Sequence, residues 1–207
     1  MAPISELLIV FLTAFGVNLI PFAGPSNLFI ASNFALVLGY GDPATLVAIG
    51  FLVALGSALA KSVEYLITFF IGKHLGKKQR ERLDVEALKI KRWALLLLFV
   101  AAVTPIPDEP VVIPLGLMKY SPAKFFSVFF AGKLLITVLG AFLGSWTKST
   151  FSEWLSPEAM VILSITLTIV VTFILLKVDV GKLAERFLRK IRDVKPERER
   201  AQSQTYE

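Results

Sequence analysis

The sequence predicts an all-α integral membrane protein, a helical bundle in which two opposed re-entrant hairpins form an inverted repeat. Of the 207 residues, 55% are hydrophobic and only 18% are charged, and the mean hydropathy is +0.69. A soluble domain carries about 25% charged residues. The hydrophobic residues also lie in long blocks, which is typical of segments that span or enter a bilayer.

Seven apolar blocks follow one another along the chain. They cover residues 4–20, 28–38, 44–71, 93–103, 111–118, 125–146 and 159–176. About twenty apolar residues are needed to cross the ~30 Å hydrocarbon core. The blocks at 28–38, 93–103 and 111–118 are too short for this and are interpreted as limbs of re-entrant hairpins.

Basic residues give the orientation. The stretches 73–92 and 177–200 hold 17 of the 22 lysines and arginines, and the positive-inside rule places both stretches in the cytoplasm. The blocks at 125–146 and 159–176 make two crossings between them. Residues 93–118 must therefore enter and leave on the cytoplasmic side, as a hairpin does.

A second hairpin is predicted near the start of the chain. The segment PFAGPSN, at 21–27, interrupts two apolar limbs, and residue 42 lies outside if the helix at 44–71 ends inside. Two hairpins that enter from opposite faces, each followed by a long helix, indicate an inverted repeat. Its predicted breaks are at prolines: Pro21, Pro25, Pro105, Pro107, Pro110 and Pro114.

The predicted domains are a polytopic membrane domain at 1–176, a cytoplasmic amphipathic helix at 177–200 and a disordered tail at 201–207. Val180, Leu183, Phe187 and Ile191 recur at helical spacing, opposite a basic face. The net charge of +6 flanks membrane segments instead of forming the basic face of a soluble module, so no nucleic-acid partner is expected.

The composition also limits the chemistry. With no cysteine and a single histidine, thiolate sites, Cys nucleophiles and His-based metal clusters are excluded. No Ser–His set is available, so we expect no enzyme activity, no metal and no cofactor.

Backbone that leaves a helix inside a membrane must be buried in protein or line a wet cavity. We therefore expect both hairpin tips to meet at one polar cavity that forms a substrate or ion pathway. Intramembrane charges are costly and usually face the bundle interior. The candidate residues are Asn18, Ser26, Asn27, Lys61, Glu64, Tyr65, Thr104, Asp108, Glu109 and Lys133.

Structural explanations remain open for several of these residues. Lys61 and Glu64 are three residues apart and can pair with each other on one helix. Lys133 can extend its ammonium toward the cytoplasmic surface. Asp108 and Glu109 can cap a hairpin limb. The alternative is that one of these acids pairs with a lysine across the cavity.

The segments that carry these residues resemble the DedA family, also called the VTT or SNARE-associated Golgi protein family, over residues 6–149. The resemblance lies in the P-x-x-x-P-S tip at 21–26, in GSALAKSVEYLITFFIGKHLGK, and in FVAAVTPIPDEPVVIPLGLMKYSPAKFFSVFFAGK with Gly116. It implies two opposed re-entrant hairpins and a location in the plasma membrane.

The resemblance also implies a function. Members of the family are implicated in moving lipids across bilayers, so we expect a lipid translocase, flippase or scramblase, for a polyprenyl-phosphate carrier or a phospholipid. Proton or sodium coupling and a homodimer are further expectations. The alternatives are a small-solute or drug exporter and an intramembrane enzyme acting on a lipid phosphate.

The chain departs from the family pattern in its charges. Bacterial members carry acids in the first hairpin, where this chain has Asn18 and Asn27. Their two second-hairpin arginines align with Ala102 and Asp108. An aspartate of the long helix that follows their first hairpin aligns with Lys61. The resemblance therefore implies exchanged charges, with Lys61 and Lys133 as the phosphate partners.

Overall fold

The computed structural model describes residues 2–21, 25–39, 41–74, 93–104 and 108–151, together with six single positions beyond them. The described part of the chain contains six helices and no strand. By its internal contacts the chain divides into two compact units, Met1–Ile169 and Val170–Glu207. All six helices belong to the first unit.

The helices follow the predicted apolar blocks closely. They are α1 (Ile4–Asn18), α2 (Asn27–Leu38), α3 (Pro43–Lys73), α4 (Ala94–Val103), α5 (Glu109–Leu117) and α6 (Pro122–Phe151). Most of the predicted helix at 159–176, most of the basic loop, the amphipathic segment at 177–200 and the tail lie outside the described residues.

Within the described residues, two helices are long and apolar enough to cross a membrane. They are Pro43–Gly72 and Pro122–Thr150, with 30 and 29 residues and a mean hydropathy of 2.0 each. Both expose large apolar side chains, among them Phe70 and Leu135. Soluble monomers rarely expose contiguous apolar surface of this kind, and the outer face therefore suits contact with lipid.

Local signals explain where α2 ends and α3 begins. Gly39 adopts the left-handed conformation (φ 72°) after α2, a position that glycine takes without a steric penalty. Asp42 caps α3 by accepting hydrogen bonds from the Thr45 hydroxyl (2.7 Å) and from the Thr45 N–H (2.9 Å). These bonds lower the pKa of Asp42. The cap therefore stabilises α3 fully at pH values above the usual carboxyl pKa, and this stabilisation is lost as the pH falls through the folded-state pKa.

The proline positions correct part of the predicted hairpin breaks. Pro21 and Pro25 lie between α1 and α2, as predicted, but Pro110 is in the first turn of α5 and Pro114 is inside that helix. A proline in a first turn costs nothing because the N–H groups there have no helical partner, whereas Pro114 removes one helical hydrogen bond. Pro105 and Pro107 lie outside the described residues.

Each half of the chain, α1–α3 and α4–α6, packs one of its short helices on the long helix of the other half. The helix pairs α1–α2 and α4–α5 correspond to the limbs of the two predicted hairpins and are called the first and the second hairpin. The first limb of each packs on the long helix of its own half, α1 on α3 and α4 on α6. The second limb packs on the long helix of the other half, α2 on α6 and α5 on α3, and the two long helices pack on each other. The starts of α2 and α5 therefore lie beside the crossing of α3 and α6.

Close helix approach depends on glycines of the long helices. A Cβ built on Gly140 of α6 would lie 2.5 Å from the carbonyl oxygen of Leu28, and one on Gly72 of α3 would lie 2.7 Å from that of Leu117. Backbone atoms cannot move aside as a flexible side chain does. These glycines hold each hairpin limb against the long helix of the opposite half.

We expect Gly140→Ala to lower the free energy of unfolding by about 1–3 kcal/mol, because α2 must move away from α6. The matched control is Gly16→Ala in α1, where a Cβ meets nothing within 4 Å. That change should raise stability by about 0.5–1 kcal/mol through helix propensity. Thermal unfolding in detergent measures both, and equal effects of the two alanines would contradict the close approach.

Candidate functional site

A neutral hydrogen-bonded network joins the first hairpin to α3. Asn18 and Asn27 exchange amide hydrogen bonds of 2.9 and 3.0 Å, so the end of α1 is tied to the start of α2. Ser57 of α3 accepts from Asn27 (3.1 Å) and donates to Asn18 (3.2 Å). The second amide hydrogen of Asn18 goes to the carbonyl of Ala14 at 2.7 Å. All the amide donors are therefore used, which is the condition for burying such groups at low cost.

One helical turn further along α3, Lys61 begins a charged network. Its ammonium donates to Glu109 Oε1 at 2.5 Å and to Glu64 Oε2 at 2.8 Å. The first contact crosses from α3 to the start of α5, and the second stays on α3. Lys61 is 3% exposed and Glu109 is 4% exposed, so both charges lie inside the bundle.

A second ion pair joins the same hairpin to α6. Lys133 lies 2.7 Å from Asp108 Oδ2, and the two residues are 3% and 5% exposed. The Lys133 ammonium also lies 5.1 Å from the centre of the Phe129 ring, a distance at which a cation is attracted to the ring. Neighbouring residues of one hairpin thus pair with lysines on two different long helices.

The local sequence explains this divergence. Asp108 is the N-cap residue of α5 and Glu109 is its first helical residue, so their side chains leave the backbone in different directions. Gly72 and Gly116 allow the end of α5 to approach α3 closely, so that α5 packs along α3. Two neighbouring acidic residues can then reach both long helices, Asp108 contacting α6 and Glu109 contacting α3.

The structural alternatives left by the sequence are now separated. Lys61 pairs with Glu64, as the same-helix alternative required, but it also pairs with Glu109 across the interface. The side chain of Asp108 makes no capping hydrogen bond although it occupies the cap position. Lys133 is buried and paired, so it does not extend to the surface. The predicted pairing of hairpin acids with helix lysines is confirmed.

Three other candidates have different partners. The hydroxyl of Tyr65 donates to the backbone carbonyl of Tyr120, in the turn before α6, and its ring stacks on Phe125 at 4.3 Å. Thr104 bonds to the carbonyl of Ala101 at the end of its own helix. Ser26 precedes α2 and makes no side-chain cap bond. The structure therefore does not bring Tyr65, Thr104 or Ser26 into the charged network.

Ser57 and Phe129 complete the two networks, although neither was a predicted site residue. Ser57 lies four residues before Lys61 and therefore on the same face of α3, and that spacing is the signal that finds it. Phe129 lies four residues before Lys133, but an aromatic residue on an apolar helix is too common to single out from sequence.

The charged network retains unused acceptor atoms. Among the described residues, Asp108 Oδ1 and Glu64 Oε1 are buried without a hydrogen-bond partner. No group of three or more His, Cys, Asp or Glu side chains in the described segments has an arrangement that could hold a metal ion. The arrangement is therefore suited to exchanging ion-pair partners, with acceptor capacity left at two carboxylates.

We expect Asp108→Asn and Lys133→Met each to destabilise the protein by about 3–5 kcal/mol, because each change leaves one buried charge unpaired. The double variant should recover about 1–3 kcal/mol relative to the sum of the two single changes. Asp108→Asn combined with Lys61→Met is the control and should show a smaller coupling, because these residues share no ion pair. Thermal unfolding in detergent measures these four variants and Lys61→Met alone, and additive effects of Asp108 and Lys133 would contradict the pairing.

Comparison with known proteins places this bundle in a family. A sequence model of the VTT domain matches residues 9–146, which is about two thirds of the chain. The match covers α2 to α5 completely and most of α1 and α6. A search of curated proteins and a search of solved structures gave no match. The matched region contains every residue of the neutral and charged networks. The chain belongs to the VTT domain family, the membrane-associated DedA or SNARE-associated Golgi protein family that its sequence resembles.

Proposed function

We propose that this protein is a membrane lipid translocase that moves a lipid with a phosphate-containing head group, a polyprenyl-phosphate or a phospholipid, across the bilayer. The observation that carries the proposal is the pair of buried lysines, Lys61 and Lys133, each held by a carboxylate of the second hairpin. Buried ammonium groups in a bundle of apolar helices are costly and are usually functional. Membership of a membrane-associated family adds support.

The proposed mechanism is an exchange of partners. A phosphate that enters the site competes with Glu109 for Lys61 and with Asp108 for Lys133, because ammonium groups bind phosphate and carboxylate oxygens in the same way. A carboxylate that loses its lysine in a low-dielectric interior becomes costly to keep ionised. It then takes up a proton or a sodium ion, which couples lipid movement to an ion gradient.

The architecture that serves this mechanism is an inverted repeat of two re-entrant hairpins. The exchange of packing partners supports it, since α2 packs on α6 and α5 packs on α3 in the same way. In this arrangement the starts of α2 and α5 lie inside the membrane. The site then lies between the two halves, where alternating movement opens it to either side.

The proposed orientation places residues 73–92 and 177–200 in the cytoplasm of a plasma-membrane protein, following the positive-inside rule. The lipid is then handled without chemical change, so the protein is not an enzyme. A small-solute exporter remains the second candidate, because buried lysine and carboxylate pairs can also hold a charged solute.

The orientation is tested by cysteine labelling, for which the chain is suited because it has no native cysteine. Single cysteines at Lys89 and Lys119 should react with a membrane-impermeant reagent from the same side of the membrane. A cysteine at Gly41, which is exposed before α3, should react from the opposite side. Labelling of Lys89 and Lys119 from opposite sides would overturn the re-entrant hairpin.

The translocase proposal is tested with purified protein in liposomes. Transbilayer movement of a fluorescent phospholipid and of a polyprenyl-phosphate is measured with and without a pH or sodium gradient. We expect movement of at least one lipid, and a fall of about tenfold or more for Lys133→Met, the effect of about 1.4 kcal/mol in an activation barrier.

The matched control is Ser62→Ala on α3, whose hydroxyl donates to the carbonyl of Ala58 in its own helix. Its lipid movement should equal that of the wild type. A folded wild-type protein that moves neither lipid would refute the proposal, and gradient-driven movement of a small charged solute in the same liposomes would favour the exporter.

A further inference from the structure

The charges of the site are divided unequally among its three elements. The start of α5 carries two carboxylates, Asp108 and Glu109, and α6 carries one ammonium, Lys133. The long helix α3 carries both an ammonium, Lys61, and a carboxylate, Glu64. With these groups ionised, α3 presents no net charge to a hairpin that presents two negative charges.

Glu64 does not connect α3 to another element through its ion pair. Its pair with Lys61 joins residues three apart on one helix, whereas the Glu109 pair and the Asp108 pair both cross between elements. Its second oxygen, Oε1, is buried without a hydrogen-bond partner among the described residues. Its side chain is 12% exposed, which makes it more exposed than Lys61 or Glu109. A link between helices therefore does not explain why this carboxylate is present.

Two effects of Glu64 act in the same direction. Its negative charge repels Glu109 and reduces the attraction between α3 and the start of α5, an effect that is strong where water is excluded. It also remains with Lys61 if Glu109 moves away, so that separation leaves no isolated buried ammonium. Both effects lower the cost of separating the second hairpin from α3.

We propose that Glu64 is a positioning residue that keeps the contact between α3 and the second hairpin breakable by giving Lys61 a partner on its own helix. The use of this contact in lipid movement rests on the function proposed above. In the described part of the chain, Lys133 pairs with Asp108 alone and has only the Phe129 ring as a second attraction. The hairpin therefore separates from α3 before it separates from α6.

The proposal predicts an effect opposite in sign to that of a structural salt bridge. If Glu64 only stabilised the bundle, its neutralisation would loosen the hairpin. If Glu64 weakens the attachment of the hairpin, Glu64→Gln leaves Lys61 to Glu109, and α3 then faces the hairpin with a net positive charge. The hairpin should become more tightly held and lipid movement should become slower.

The experiment is amide hydrogen exchange of residues 109–117 in the full-length protein, reconstituted in lipid nanodiscs. We expect Glu64→Gln to slow exchange in this segment by about tenfold or more relative to the wild type. Glu64→Asp retains the charge and should exchange as the wild type does. Ser62→Ala, on the same helix but outside the ion pairs, should leave exchange unchanged, and Glu109→Gln should accelerate it.

Faster or unchanged exchange of residues 109–117 in folded Glu64→Gln protein would overturn the proposal, as would slower exchange in Ser62→Ala of the same size. Lipid movement in liposomes is measured in parallel and should fall in Glu64→Gln by a similar factor. If wild-type protein moves no lipid, the translocase proposal fails, while the exchange rates still decide whether Glu64 weakens the hairpin contact.

Discussion

The structure depends on the burial of two ammonium groups among apolar helices. An unpaired lysine in this setting is strongly destabilising, so Lys61 and Lys133 require carboxylates within direct contact. One of these carboxylates, Glu64, comes from α3 itself. The chain supplies the other two, Asp108 and Glu109, from one hairpin, because α5 begins beside both lysines. The break in the chain at this point is thus explained by the charge pairs that it positions.

The need to pair buried polar groups also determines the contacts along α3. Its polar stripe meets different partners at successive turns: Ser57 meets the amides of the first hairpin, Lys61 meets Glu109, and Tyr65 meets the turn before α6. Thr68 lies against Gly116 of α5. The polar residues of α3 therefore contact both hairpins. This explains why residues on one helix face include a neutral hydrogen-bonding residue, a charged residue and a residue that only packs the bundle.

Much of the fold could be predicted from sequence because its signals are local. The lengths of the apolar blocks and the positions of some prolines predicted the described helices within a few residues. Which lysine each of Asp108 and Glu109 contacts was not predictable, since this depends on how the start of α5 lies relative to α3 and α6. Tyr65 shares a helix face with Lys61, but its hydroxyl bonds to the turn before α6 and its ring stacks on Phe125, partners that helical spacing alone does not give. Pro114 was misassigned because a proline in a short buried helix resembles a break.

The two halves of the bundle differ in how they can respond to a ligand. The Asn18–Asn27–Ser57 network is neutral and its donors are all satisfied within the protein, so an arriving phosphate gains little by displacing them. The Lys61 and Lys133 pairs offer an anion a cation that is already desolvated, and their carboxylates can accept a proton in return. Under the proposed mechanism, the first hairpin therefore acts as the fixed support and the second as the ligand-dependent element. The charged groups then lie on α5 and the two long helices, whereas the polar contacts of the first hairpin come from Asn18, Asn27 and Ser57.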